Sequence, residues 1–322
     1  MDPRQKEMIL KKFEKQIVFF PGYQHAWSQM EKAVEASTLR QAPSSAFIMG
    51  KTGVGKSTLC KLFMESFGPR HDIETQTGLQ KIVPALYIVP TTTITIKGLC
   101  HDILHEFMER IPNHSVSELT HMIVKKLKEC QVKAVIFDEI QRLMRPDAEK
   151  TRQVTLDWMV ALLTLTGLPI ILCGDETCED LLEEEATRNS PFARRYCYTS
   201  TLEYFSYSDQ PENEYHLTLS ELDKAIYSIE SFQGNVHLQD PNIKLPLFVA
   251  SSGILEYIRQ ILYEALYICL SAEHPILTTA HFVDAYPTLR LPVSLSKKNN
   301  PFSLSTSECY QIIEKHGRLA DV

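Results

Sequence analysis

Long apolar runs are missing from these 322 residues. The longest near the start, Ile17–Phe20, falls far short of the roughly 20 residues a membrane-crossing helix needs. No membrane contact and no export signal are expected, which makes the cytoplasm the default compartment. Basic charge is also scarce: 33 Lys and Arg face 40 Asp and Glu, for a formal net charge of −7. The surface as a whole therefore does not attract nucleic acid, and any such contact needs a local basic stripe. Paired cysteines are absent. Eight stand singly with no C-x-x-C spacing, which points away from a disulfide framework and towards reduced core thiols. Internal repeats and long low-complexity tracts are lacking too.

What is present is alternation. Strands are expected at AFIMG (46–50), PALYIVP (84–90), KAVIFDE (133–139), LPIILCG (168–174) and RYCYTSTLEYF (195–205). Several are short, nearly continuous apolar runs, as buried parallel strands require. Helical stretches lie between them near 56–67, 97–109, 115–129, 149–165 and 176–185. Strand and helix in turn predict an α/β fold: a five-stranded parallel sheet flanked by helices. A short amphipathic helix at 4–16 and a second helix near 24–37 precede it. Beyond the polar loop 206–214 the strand signals fade, and helices are expected at 219–232, 253–271 and 278–285, with 241–246 as a connector. The expected division is a helical segment 1–42, a nucleotide-binding domain 43–205, a small helical domain 206–290 and a tail 291–322.

The sequence MGKTGVGKST fits G-x-x-x-x-G-K-[ST] at Gly50, Gly55, Lys56 and Ser57. A strand precedes it and a helix follows, the context a phosphate-cradling loop needs. Glycines allow backbone N–H groups to converge on an anion, and the helix start adds its unpaired donors. Gly50, Lys51, Thr52, Gly53, Val54, Gly55, Lys56, Ser57 and Thr58 are the expected nucleotide contacts, with Lys56 on the β- and γ-phosphates. Further along, AVIFDE ends a strand with two acids. Asp138 is expected to join Ser57 in holding Mg²⁺, and Glu139 to act as general base on the attacking water. Together they predict an ATPase that turns ATP into ADP and phosphate.

Asp175 and Thr177, at the tip of the fourth strand, are alternative sensors of the γ-phosphate, although an acid there faces like charge. Arg188, Arg194 and Arg195 precede the fifth strand. Arg194 and Arg195 are candidates for an arginine presented to a neighbour's γ-phosphate. His101 and His105 share one helix face at i,i+4, a spacing that suits zinc. The first histidine lacks the following glutamate of the zincin pattern and no third ligand is evident, so a plain surface pair is preferred.

In motif order the chain resembles the AAA+ superfamily and, more narrowly, the TnsC/TniB family of transposon-encoded target-selection ATPases. The resemblance runs from about residue 17 to 286. It rests on IVFFPGYQHAWSQM, TTTITIKGLCHDILHEF, VKAVIFDEIQRL, LTGLPIILCGDE and NSPFARRY, and on a lid-like stretch with Gly253 before a long apolar helix. It implies an AAA+ P-loop domain followed by a helical lid. It also implies ATP and Mg²⁺ as cofactors and head-to-tail assembly into rings or filaments on double-stranded DNA. Transposase and target-selection proteins would be the partners. By analogy, DNA is expected to meet Thr91, Thr92, Thr93 and Lys97, with Arg142 and Arg145 as second candidates. The usual lid arginine shortly after the glycine is missing, since Glu256 stands there, and Arg259 lies one turn on. Competing expectations are an AAA+ replication initiator or helicase loader, a nucleotide-gated scaffold with negligible hydrolysis, and a P-loop kinase.

Overall fold

The computed structural model describes residues 2–40, 43–76, 78–90, 94–145, 149–228 and 232–319. The chain opens with α1 (Pro3–Glu14) and α2 (Pro21–Leu39). The sheet region then runs β1 (Ala46–Gly50), α3 (Lys56–Glu65), β2 (His71–Thr75), β3 (Gly78–Ile82), β4 (Ala85–Ile88), α4 (Ile96–His105) and α5 (Val116–Glu129). It continues with β5 (Ala134–Phe137), α6 (Glu149–Thr166), β6 (Ile170–Cys173), α7 (Thr177–Thr187), α8 (Pro191–Arg195) and β7 (Tyr198–Leu202). A mainly helical region follows: α9 (Glu214–Tyr227), β8 (Gln233–Gly234), α10 (Pro241–Ser251), α11 (Leu255–Leu270), β9 (Ile276–Leu277), α12 (Thr279–Ala285) and α13 (Thr306–Lys315). Two compact units result. One comprises Tyr23–Leu202, the other Met1–Gly22 with Glu203–Val322.

In the first unit a five-stranded sheet has the order β4-β5-β6-β1-β7, with every pairing parallel. The sequence dictates this directly. AFIMG, AVIF and IILC are buried along their whole length, so both sheet faces must be covered, which helices in parallel crossovers achieve. Each fully buried aliphatic or phenyl side chain there contributes roughly 1.5–3 kcal/mol. A capping box starts α5, with Ser115 and Glu118 satisfying each other's backbone N–H.

Two features depart from the sequence expectation. A two-stranded antiparallel ribbon, β2–β3, is inserted before β4; seven of its ten residues are exposed and only Ile82 is buried, so it carries no core pattern to detect. The arginines ahead of β7 lie on or beside helices, Arg188 at the end of α7 and Arg194 and Arg195 in the last turn of α8.

The second unit buries one face of α11, with Ile258, Ile261, Leu262, Ala265 and Leu266, and surrounds α10 from Leu245 to Ser251. The 241–246 stretch is not a connector. Pro241 fits the first helical turn, where its missing N–H leaves nothing unpaired, and the helix then continues through Pro246. Nor do residues 291–319 hang as a tail. Leu295 N–H donates to the Val249 carbonyl at 2.9 Å, Phe302 meets Phe282 with ring centroids 5.5 Å apart, and α13 buries Cys309 and Ile313.

Candidate nucleotide site

Phosphate-loop geometry begins at the end of β1. Gly50 has φ 142°, and a Cβ there would stand 2.1 Å from the Leu202 carbonyl oxygen, so no side chain is admitted. Gly55 adopts the left-handed conformation (φ 91°) at the N-cap of α3, which glycine reaches without steric cost. Between them the Lys51 N–H donates to the Leu202 carbonyl at 3.3 Å. Val54 is buried, and its carbonyl accepts the Tyr23 hydroxyl at 3.1 Å. Trp27 meets Phe63 of α3 edge-on at 5.1 Å. Helix α2 thus braces the loop from below. Sequence reasoning missed this role, because nothing in FFPGYQHAW announces a contact 30 residues away.

The Lys56 ammonium lies inside the loop, donating to the carbonyls of Gly50 (2.6 Å) and Lys51 (2.8 Å). Ser57 sits in the first turn of α3, and Thr58 beside it is exposed.

Across from the loop, Asp138 is only 2% exposed. Its Oδ1 accepts the Glu139 N–H at 2.8 Å and its Oδ2 accepts the Tyr87 hydroxyl at 2.5 Å. Burial first, and then the carboxylate it serves, pushes the Tyr87 phenol well above its ordinary pKa, while the neighbouring Ser57 hydroxyl acts in the opposite sense. Tyr87 is therefore a protonated donor at neutral pH. Among the described residues no group of three or more His, Cys, Asp or Glu could cage a metal. One hydroxyl and one carboxylate near a phosphate loop nevertheless suit Mg²⁺, which keeps waters and takes the rest of its oxygens from phosphates. Ser57 and Asp138 fit that ion.

Glu139 takes a left-handed backbone (φ 60°), a conformation that costs a non-glycine residue about 1–3 kcal/mol. The turn resolves a geometric problem. Adjacent acids on a regular strand face opposite sides, and the left-handed residue lets the second leave the strand. Its carboxylate accepts the Gln141 amide at 3.2 Å and lies 3.5 Å from the Arg142 guanidinium. Arg142 also donates to the Pro90 carbonyl. Arg142, a candidate for DNA contact, is thus held between Glu139 and the Pro90 carbonyl. The oxygen of the same Gln141 amide is buried without a partner and lies next to Gly174 at the end of β6.

At that strand end Asp175 accepts both the N–H (3.0 Å) and the hydroxyl (2.5 Å) of Thr177, so the two alternative sensors hold each other and start α7. Burial, then the Asp175 charge, pushes the Cys178 thiol up to about 12, with Lys56 opposing.

The remaining candidates spread out. Arg195 donates to the Pro43 carbonyl at 3.3 Å and Arg194 is exposed; Arg188 pairs with Glu184 at 2.5 Å. Lys97 is exposed and donates to Asn113 at 2.8 Å, and Arg145 is exposed just beyond Met144. Thr91, Thr92 and Thr93 lie outside the described residues. His101 and His105 stand with ring centroids 6.5 Å apart, and among the described residues no third ligand joins them. Arg259, weighed as a lid arginine, instead reaches the end of α1: it donates to the carbonyls of Gln16 (2.7 Å), Glu14 (2.9 Å) and Phe13 (3.4 Å).

A glycine loop holding a lysine, a helix start and a buried acid at the carboxyl ends of parallel strands define a P-loop nucleotide-binding domain. Residues 39–182 match a family model described as an AAA domain, so this stretch is an AAA+ nucleotide-binding domain, a type of domain that implies ATP as its ligand. No curated protein matches the chain. Among solved structures it is similar to the ORC2 protein of Aeropyrum pernix, solved as ADPNP–ADP complexes: 13% identity, TM-score 0.59, covering 86% of this chain and 71% of that one. Cdc6p from Pyrobaculum aerophilum gives 13% identity and a TM-score of 0.58, over 97% and 86% of the two chains. The Aeropyrum pernix ORC1 protein, solved in complex with DNA, gives 16% and 0.54, over 92% and 78%. At such identities the likeness concerns the fold. Among the described residues no helix is long and apolar enough to cross a membrane.

Proposed function

We propose that the protein is a DNA-associated ATPase that assembles with ATP on double-stranded DNA and recruits or activates a transposase there. The observation that carries the ATPase part is the strand end itself. Asp138 is buried at the end of β5 with the Tyr87 hydroxyl on its carboxylate, and Glu139 leaves the strand on a left-handed backbone. Mg²⁺ between Ser57 and Asp138 would neutralise charge on the β- and γ-phosphates. Glu139 would take a proton from the attacking water, a role worth about 10²–10⁴ in rate. Arg194 is exposed and better placed than Arg195 to reach a neighbouring subunit's nucleotide, since Arg195 is tied to Pro43. Lys97, Arg145 and the 91–93 loop remain the proposed DNA contacts; reading phosphates, they would bind without regard to sequence. The transposition assignment draws on the sequence resemblance.

A second reading, a replication initiator or helicase loader, is favoured by the similarity to Orc and Cdc6 structures, one of them solved with DNA. One experiment addresses both. The protein is mixed with a slowly hydrolysed ATP analogue and duplexes of unrelated sequence, and imaged by negative-stain electron microscopy beside an ADP control. Rings or filaments on every duplex, with ATP analogue alone, support the target-selection reading. Assembly confined to one sequence favours the initiator. Monomers throughout contradict both.

A further inference from the structure

We propose that Tyr87 is a positioning residue for the magnesium end of the site, joining Ser57 and Asp138 through its hydroxyl. The proposal rests on the ATP reading above and deepens it. Strand register supplies the geometry. Tyr87 pairs with Ile136 in the parallel β4–β5 ladder. Side chains alternate along a strand, so Tyr87, Ile136 and Asp138 share one sheet face. Helix α3 turns Ser57, Cys60 and Lys61 to one side, as i, i+3 and i+4 spacing requires. Lys61 Nζ lies 5.4 Å from the centre of the Tyr87 ring, and the Ser57 hydroxyl lies beside the phenol. The phenol thus sits at the meeting point of the helix and the acid.

A plain core tyrosine would satisfy its hydroxyl on any nearby carbonyl. This one donates to a nearly fully buried carboxylate at 2.5 Å. Asp138 also accepts the Glu139 backbone N–H on its other oxygen, and a buried acid depends on such donors in place of water. With one donor on each oxygen, the phenol and the Glu139 N–H together fix the carboxylate plane. The neighbouring β4 positions Ala85, Leu86 and Ile88 are all apolar and buried, so phenylalanine would fill the same space without the hydroxyl. Partners of this kind, one bond removed from the metal, typically change its affinity by about 10–100-fold when lost.

The test is a Mg²⁺ titration of fluorescent ATP-analogue binding, with an EDTA baseline, on the full chain and on Tyr87→Phe. The expected result is an unchanged EDTA affinity and a Mg²⁺ half-saturation raised about tenfold or more. An unchanged half-saturation overturns the proposal. So does an equal loss with and without Mg²⁺, which marks Tyr87 as packing. Placing Tyr87→Phe in an Asp138→Asn background checks the route: no further shift is expected, and a second tenfold shift there contradicts it. A wild-type chain whose analogue binding ignores Mg²⁺ overturns the underlying ATP reading, and the role of Tyr87 with it.

Discussion

The sheet unit and the helical unit both bury polar side chains, but they put them to different use. In the sheet unit Asp138, Glu139, Gln141 and Arg142 meet at the end of β5 and contact each other, while Lys56 is held inside the loop after β1. In the helical unit buried polar groups fasten one segment of chain to another. Arg259 closes the carbonyl end of α1, Ser252 donates to the Val293 carbonyl, and the Tyr215 hydroxyl donates to the Lys244 carbonyl at 2.6 Å. Arg142 and Arg259 make the contrast sharp. Each was a candidate for ligand contact, and each is mostly buried, with 21% and 18% of the side chain exposed. One meets the proposed base; the other meets main-chain carbonyls. Residue type and spacing do not separate these roles, whereas partners do.

The comparison predicts that substitutions in the two units separate binding from stability. The largest effect belongs to Lys56→Ala. Losing a charge-assisted contact to phosphate oxygens is worth about 1.5–3 kcal/mol, so affinity for a fluorescent ATP analogue should fall about 10–100-fold, with little change in thermal midpoint. Equal binding by the variant would erase the distinction between the units. Next comes Arg259→Ala, which leaves the carbonyls at the end of α1 without their donor. Urea unfolding should show a loss of about 2 kcal/mol while ATP affinity stays at the wild-type value. A fall in affinity with unchanged stability would return Arg259 to the nucleotide site.

The smallest effect concerns pH. The His237 imidazole is held above its ordinary pKa, first by its hydrogen bond to Asp223 at 2.9 Å and then by that carboxylate's charge. A pKa raised by folding means that the folded state binds the proton more tightly. The stabilisation is therefore complete below the unfolded value of about 6.5 and disappears as pH climbs through the raised folded value. Relative to His237→Asn, the wild-type urea midpoint should be higher at pH 5.5 and converge by pH 8.5. A constant difference would show that the ring acts through packing alone.

How much of this was legible in the sequence follows from which residues carry a local signal. AFIMG, AVIF and IILC are apolar along their length because both sheet faces are covered, and their positions could be read directly. The loop from Gly50 to Ser57 is equally local. The β2–β3 ribbon has neither an apolar run nor clean alternation, since HDIET and GLQKI are mostly exposed. Helix α10 was hidden by Pro241 and Pro246, residues that usually mark a connector. The fold of residues 291–319 was partly visible in Ser305 and Glu308, whose capping box starts α13. Tyr87, Tyr23 and Arg259 were beyond reach for another reason. Their partners lie 51, 31 and about 245 residues away, and no local pattern encodes a contact that only the folded chain creates. Pairing Met1–Gly22 with Glu203–Val322 in one unit is the same effect at larger scale.

The central claim is that the strand end hydrolyses ATP with Glu139 as base. It is tested most directly by measuring phosphate release and ATP binding side by side for the wild type and Glu139→Gln, with Mg²⁺ and duplex DNA present. The account predicts measurable wild-type turnover, lowered at least about 100-fold in the variant, with ATP binding retained. Equal turnover in the two proteins, or a wild type that binds ATP without releasing phosphate, would contradict it.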